Sequence, residues 1–503
     1  MNILFITADQ WRGDSIGYAG HPLVRTPALD ALAADGVAFL NHYAQAAPCS
    51  PARACLYTGL YQMNNRVCRN GTPLSERFDN IARAARRAGY EPTLFGYTDV
   101  SPDPAGRAPK DPDLTTYEGV LPGFEVRVKL PEQQRAWLSW LRAQGLDLPD
   151  AHVAQTPVEV EPGAYSPAPP RFSKDQTQTA FVTDEFIRWL GEQDANRPWF
   201  AHVSYIRPHP PFIVPEPYNT MFDPADVPGF ARAATPDAEA AQHPLLDYAL
   251  RFATTDSFVF GTADRVRDLS EAAFRQIKAT YYGMIAEVDH QIGRALAAIQ
   301  ASGAWDDTLI VFTSDHAEML GDHYALGKGG YFDGSQHIPL LIRDPQAGVR
   351  GTRVSAFTES VDLFPTLLER MGIEPGHWPD GRSLTPFLAG RTPADWRDAV
   401  HWEFDFREVA SRTAEEWFGL PSTRLNLAVI RTAKWKYVHF AALPPLLFDI
   451  ENDPANLRNL ADDPGYTSAR LAMAERLLAW RAEHLDQTYA LMELGPQGVV
   501  RAS

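Results

Sequence analysis

The chain has 503 residues, too many for one compact core, so a large domain and a smaller one are expected. Its 63 acidic side chains against 46 Lys and Arg leave a net charge of −17, which excludes a nucleic-acid-binding face and long-range steering of anions; attraction for an anionic substrate must be local. Hydrophobic residues at 45% exclude global disorder. No stretch approaches the roughly 18 apolar residues of a membrane span, and Met1-Asn2 runs into an apolar strand without the regions of a secretion signal, so a cytoplasmic protein with no membrane partner is expected.

Asn2–Thr7 is a short apolar run, the pattern of a buried strand. Ala28–Ala34 has helical spacing and stops at Gly36. Asn80–Ala88 is a second helix, ending at Gly89 and followed by a strand over Thr93–Tyr97. Phe181–Leu190 reads as a helix leading into the strand Trp199–Ile206. A long helix over Glu271–Ser302 precedes strands at Thr308–Thr313 and Ile338–Arg343. This alternation predicts an α/β fold with a large mixed, mostly parallel sheet sandwiched by helices. The proline-rich stretches Pro102–Pro170 and Pro208–Pro236 read as parts of two loop excursions, about 99–175 and 208–268, over one rim of the sheet. Short strands at His401–Phe406, Leu425–Thr432 and Lys436–His439, then a helix over Arg470–His484, predict a small antiparallel subdomain. The expected division is a catalytic domain over 1–385 and a C-terminal subdomain over 386–503.

Ligands of open α/β sheets gather beyond the carboxyl ends of the strands. Asp9-Gln10 follows the first strand and Asp315-His316 follows Thr308–Thr313. A single Asp at a strand end is more often a turn residue, but two such dipeptides offer an oxygen-rich set with one imidazole. That set suits one hard or borderline divalent cation, with Ca²⁺ and Mn²⁺ the leading choices and the His leaning toward Mn²⁺. Three cysteines, Cys49, Cys55 and Cys68, fit neither a disulfide framework nor a zinc knuckle. Cys55 and Cys68 read as small buried apolar residues. Cys49 begins a helix, with Pro51 in its first turn and Arg53 one turn on as a fork-shaped partner for an anion. A helix N-terminus lowers a thiol pKa, which makes Cys49 a candidate nucleophile.

The run Cys49-Ser50-Pro51-Ala52-Arg53, with Thr58-Gly59 after it, resembles the signature of the formylglycine sulfatases of the alkaline phosphatase superfamily. The resemblance runs nearly end to end through Thr7–Arg12, Arg207–Phe212, Thr313–His316, Gly321–His323, Lys436–Phe440 and Phe448–Pro454. It is nearest to the phosphonate monoester hydrolase and phosphodiesterase branch and to arylsulfatases beside it. The resemblance implies that a maturation enzyme oxidises Cys49 to formylglycine, and that Asp9, Gln10, Asp315, His316 and the modified Cys49 bind the metal. Lys328 and His209 match positions that bind the ester oxygens and protonate the leaving group; Asn70 and Tyr97 match substrate-contacting positions. A homo-oligomer is expected by resemblance alone. Three departures stand out. Asp99 occupies the place of a neutral threonine in phosphonate hydrolases and would repel an anionic substrate unless paired, with Lys328 the available partner. Ala317 replaces a glycine, a strained change if the position needs a positive φ. Cys55 replaces a common serine, which looks neutral.

The implied nucleophile is a geminal diol. One hydroxyl attacks, and deprotonation of the other releases the product without a second attack at sulfur or phosphorus. The metal, Arg53 and Lys328 would stabilise the oxygens of the transferred group. Breakdown depends on the diol and not on the central atom, so promiscuity among monoanionic esters follows. Asp99 favours sulfate monoesters as the main substrate, with phosphonate monoesters and phosphodiesters as side activities; the reverse order is the alternative. A binding protein with an unmodified Cys49 and a two-zinc phosphatase are the other readings, the latter short of His and Asp ligands.

Overall fold

The structure is a computed structural model and describes residues 1–131, 133–158, 164–496 and 498–501. Eight strands form one sheet: β1 (Asn2–Ala8), β2 (Val37–Tyr43), β3 (Thr93–Gly96), β4 (Glu125–Lys129), β5 (Phe200–Tyr205), β6 (Thr308–Thr313), β7 (His337–Arg343) and β8 (Thr352–Glu359). Their spatial order is β4-β3-β5-β1-β6-β7-β2-β8, and all neighbours are parallel except β7, which is antiparallel to β6 and β2. β1 is central and buried along its whole length, which is why its sequence is apolar throughout rather than alternating.

Helices cover both faces. Ile3 and Phe5 of β1 point to one side, where they join α2 (Cys49–Thr58), α3 (Ile81–Arg87) and, later in the chain, a helix over Leu363–Met371. Leu4, Ile6 and Ala8 point to the other, against α1 (Pro27–Ala34), α4 (Gln178–Gly191) and the long helix that follows α5 (Pro244–Phe252), α6 (Glu271–Ala301). Asn80 begins α3 by accepting from the Ala82 and Arg83 amides, a cap worth about 1 kcal/mol.

Four later strands, β9 (Ala399–Asp405), β10 (Asn426–Thr432), β11 (Trp435–Phe440) and β12 (Leu446–Asp449), form a separate antiparallel sheet. The helix Thr467–Glu483 packs Met473, Leu477 and Trp480 onto its Ala428, Ile430, Tyr437 and Leu447. The sheet is tied to the larger one by the buried Lys436, whose Nζ donates to Asp333 Oδ1 at 2.9 Å.

The elements read from the sequence are present within a few residues of the expected bounds. β4 is a correction: it lies inside the proline-rich stretch read as loop and forms an edge of the large sheet, with Glu125, Val126, Arg127 and Lys129 exposed. Charged, exposed side chains of this kind keep an edge strand from pairing with another chain. Ala317 does not adopt a positive φ, so replacing glycine there stores no backbone strain.

Candidate active site

β1 and β6 are neighbours, so the dipeptides that follow them emerge side by side. Thr7 lies opposite Thr313, and Asp9-Gln10 therefore meets Asp315-His316. Gln10 is held in the left-handed region at φ 68°. Strain of that kind persists where the surroundings over-determine it. Here the Gln10 amide donates to Asp315 Oδ1 at 3.2 Å, and the Gln10 carbonyl accepts from the Tyr281 hydroxyl of α6 at 2.8 Å. The Ser314 hydroxyl adds a third tie, accepting from the Trp11 amide at 3.0 Å.

Cys49 arrives from α2. Its Sγ lies 3.3 Å from His316 Nε2. Ligand atoms of Asp9, Cys49, Asp315 and His316 all fall within 4.8 Å of one another, and all four residues are buried. Among the described residues this is the one such cluster. Two observations fit a cation here. Asp9 Oδ1 is buried without a hydrogen-bond partner. His316 Nδ1 lies 3.1 Å from the Ala317 carbonyl, which only an N–H satisfies, so the Nε2 lone pair faces the cluster. Burial and the nearby Lys328 push His316 down to about 3, keeping the imidazole neutral as a ligand must be.

Arg53 is fully buried one turn along α2. Its Nε donates to Asp315 Oδ2 at 3.0 Å and its Nη2 to Asp9 Oδ2 at 3.1 Å. Nη1 donates to the Tyr57 hydroxyl and to Ser204 Oγ. Gly96, at φ 112°, ends β3 against β5; a Cβ there would lie 2.0 Å from the Ser204 carbonyl. That close approach carries Tyr97 over the guanidinium, 4.3 Å from the ring centre, with its hydroxyl donating to Asp9 Oδ2. Arg53 therefore braces the two carboxylates. Burial opposes ionisation of both acids; His209, His316, Lys328 and Arg53 still hold Asp9 well down, while burial and Asp9 itself push Asp315 up.

The expected lowering of the Cys49 thiol is overturned. Burial first, then Asp9, with Asp315 and Asp99 behind it, push the thiol well above its ordinary range. Cys49 is the first residue of α2, where a helix terminus favours the thiolate, but burial and then the neighbouring carboxylates act against it. Cys55 and Cys68 are buried free thiols, as expected.

The cluster opens into a cleft of about 560 Å³. Gln10, Asn70, His209 and Lys328 face it, with apolar walls from Leu245 and Tyr248 of α5, Phe258, and Phe404 of β9. Lys328 Nζ donates to Gln10 Oε1 at 2.5 Å and lies against Cys49. Burial alone would lower it, but Cys49, Asp9 and Asp315 hold it above its ordinary value. His209 Nδ1 lies 2.8 Å from the Pro210 carbonyl, so it carries the proton and Nε2 presents a lone pair; burial and Lys328 push the ring down to about 3. Asn70 Oδ1 accepts from the Ser50 amide at 3.0 Å, at the start of α2.

Asp99 does not pair with Lys328; among the described residues it has no ion pair, and burial pushes it up to about 7. Its φ of 49° turns the chain away after β3. Glu318, Tyr57 and Ser204 also belong to the site and carried no sequence signal: each touches Gln10 or Arg53 through the fold, at no fixed spacing from a motif.

Comparison with known proteins agrees with this geometry. The family model "Sulfatase" matches residues 1–373, and a second, "N-sulphoglucosamine sulphohydrolase, C-terminal", matches 321–483. The multifunctional alkaline phosphatase superfamily protein PehA of Trinickia caryophylli is 41% identical over 99% of this chain and 98% of its own. The crystal structure of a phosphonate monoester hydrolase of Agrobacterium radiobacter superposes with a TM-score of 0.98 at 59% identity, covering 100% of this chain and 99% of that one. A phosphonate monoester hydrolase from Silicibacter pomeroyi gives 0.94 at 40%, covering 100% and 99%, and an arylsulfatase of Clostridium perfringens is 28% identical over 97% and 95%. The chain belongs to the sulfatase family of the alkaline phosphatase superfamily.

Proposed function

We propose that this chain is a metal-dependent hydrolase of monoanionic esters, acting on phosphonate monoesters, phosphodiesters and sulfate monoesters at one site, with a formylglycine nucleophile made from Cys49. The buried cluster of Asp9, Cys49, Asp315 and His316 carries the proposal. Asp9, Gln10, Asp315, His316 and the modified Cys49 would hold one Ca²⁺ or Mn²⁺. Bound there, the cation supplies Lewis acidity, and the formylglycine diol supplies the attacking hydroxyl, for which Cys49 Sγ stands in.

The chain's own residues divide the remaining work. Arg53 keeps Asp9 and Asp315 in place. Lys328, protonated and facing the cleft, binds an ester oxygen and donates the proton to the leaving alcohol. His209 shows a lone pair and suits the opposite task, accepting a proton when the product is released. Tyr97 holds Asp9 from above, and Asn70 lines the entrance. The burial of Cys49 supports a maturation enzyme that acts before the chain closes over it. Exposed apolar side chains on the C-terminal hairpin, Leu494, Val499 and Val500, support a homo-oligomer. Among the described residues no helix is long and apolar enough to cross a membrane; the cytoplasmic location remains part of the proposal.

Full-length similarity to phosphonate monoester hydrolases supports placing phosphonates first. The buried, unpaired Asp99 favours the second reading, sulfate first. A panel of an aryl sulfate, a phenylphosphonate monoester and a phosphodiester decides between them by kcat/KM. Turnover of none of the three by protein with oxidised Cys49 would overturn both.

A further inference from the structure

A glutamine amide can face a cation carbonyl-first, as a ligand, or NH₂-first, as an obstacle. At Gln10 the choice is made from behind the site. Glu318 is fully buried and, among the described residues, forms no ion pair. Burying a carboxylate without a cation is costly, and the group compensates by accepting N–H groups. Its two oxygens do separate jobs. Oε2 accepts from Gln10 Nε2, which leaves Gln10 Oε1 toward Lys328 and the cluster. Oε1 accepts from the backbone amides of Leu320 at 3.0 Å and Gly327 at 2.6 Å.

Those two amides bracket an irregular loop. Leu320, His323 and Tyr324 all have positive φ; the Met319 amide donates to the Gly327 carbonyl at 2.8 Å and the Gly321 amide to the Ala325 carbonyl at 2.8 Å, and Glu318 adds a side-chain tie at the same base. The loop ends at Lys328. One buried carboxylate thus grips Gln10 with one oxygen and the base of the Lys328 segment with the other.

We propose that Glu318 is the positioning residue of this site: it fixes which way round the Gln10 amide faces and pins the 320–327 loop, so that Gln10 Oε1 and the Lys328 ammonium meet where the cleft floor joins its wall. The inference rests on the reading of Gln10 as a metal ligand.

Glu318→Gln separates the two jobs. It keeps an oxygen for the Leu320 and Gly327 amides but turns an NH₂ donor toward Gln10 Nε2. Two donors then face each other, and the Gln10 amide must turn over. Calorimetric titration of metal-free protein with Mn²⁺ is expected to show about 10- to 100-fold weaker binding, with the metal-free unfolding midpoint little changed. In the Gln10→Glu background the same substitution restores a donor facing an acceptor, so there it should tighten Mn²⁺ binding. That reversal of sign is an effect a merely structural role would not produce. Wild-type affinity in Glu318→Gln, or a loss of equal size in both backgrounds, overturns the inference. Should Glu318→Gln alone fail to fold, the double variant against Gln10→Glu carries the same test: tighter binding supports the inference, equal or weaker binding overturns it. Wild-type protein that takes up neither Mn²⁺ nor Ca²⁺ overturns the metal reading itself, which separates the two failures.

Discussion

The floor of the cleft and its walls are built from different material. Asp9, Gln10, Asp315 and His316 stand at the ends of two adjacent strands, and Cys49 and Arg53 lie on a helix packed against the same sheet. Asn70, His209, Tyr248, Lys328 and Phe404 come from loops, a short helix and an edge of the second sheet. Strand ends fix side chains to the precision of the sheet, whereas loops owe their position to individual tethers. The floor therefore determines the kind of reaction, and the walls determine which ester is taken and how its leaving group departs.

That contrast can be broken from either side. The largest effect is expected on the floor: Cys49→Ala should lose activity on the order of 10⁴- to 10⁶-fold toward every ester alike, because it removes the nucleophile. A loss confined to one ester class would place Cys49 in the walls instead. Lys328→Ala should depend on the substrate, costing about 10²- to 10⁴-fold with an alkyl leaving group and far less with 4-nitrophenol, which needs no proton. Equal losses for the two would remove Lys328 as the proton donor.

Arg53→Ala tests the floor without substrate. It removes the cation that hydrogen-bonds both buried carboxylates and leaves them Lys328 alone nearby, and chemical denaturation of metal-free protein should show a loss of about 3–5 kcal/mol, partly recovered on adding Mn²⁺. A loss below about 1 kcal/mol would mean the carboxylates are not held by Arg53.

The smallest effect lies under the wall. Arg207 donates to the carbonyls of His209 and Pro211, and the buried Glu287 lies near Arg207, accepting from the Thr177 hydroxyl. Burial pushes Glu287 up from 4.5 to about 7 against the bond from Thr177. A raised folded-state value means the native protein binds the proton more tightly than the unfolded chain. Its stabilising contribution is then fully present below about pH 4.5 and is lost as pH rises through about 7. The full change is worth about 3 kcal/mol. Unfolding of metal-free protein at pH 5 and pH 8 should therefore differ less in Glu287→Gln than in the wild type; an unchanged difference would show that Glu287 does not titrate in this window.

The same contrast explains what the sequence disclosed. Asp9-Gln10 and Asp315-His316 were legible because each follows an apolar strand, and strand ends of a parallel sheet point at one site. Cys49 was legible through the resemblance of its motif. Glu318 was not: its partners are Gln10, 308 positions away, and two amides of an irregular loop. The inward turn of Arg53 and the separation of Asp99 from Lys328 depend on the close approach at Gly96 and the left-handed turn at Asp99, which side-chain chemistry alone does not specify. The strand Glu125–Lys129 was hidden by the prolines around it, although its mix of exposed charge and one buried Val128 suits a sheet edge.

Mass spectrometry of the peptide containing Cys49, taken across preparations of differing activity, tests the central claim most directly. Activity should rise in proportion to the fraction of Cys49 converted to the aldehyde. Full activity from protein in which Cys49 is entirely thiol would contradict the account.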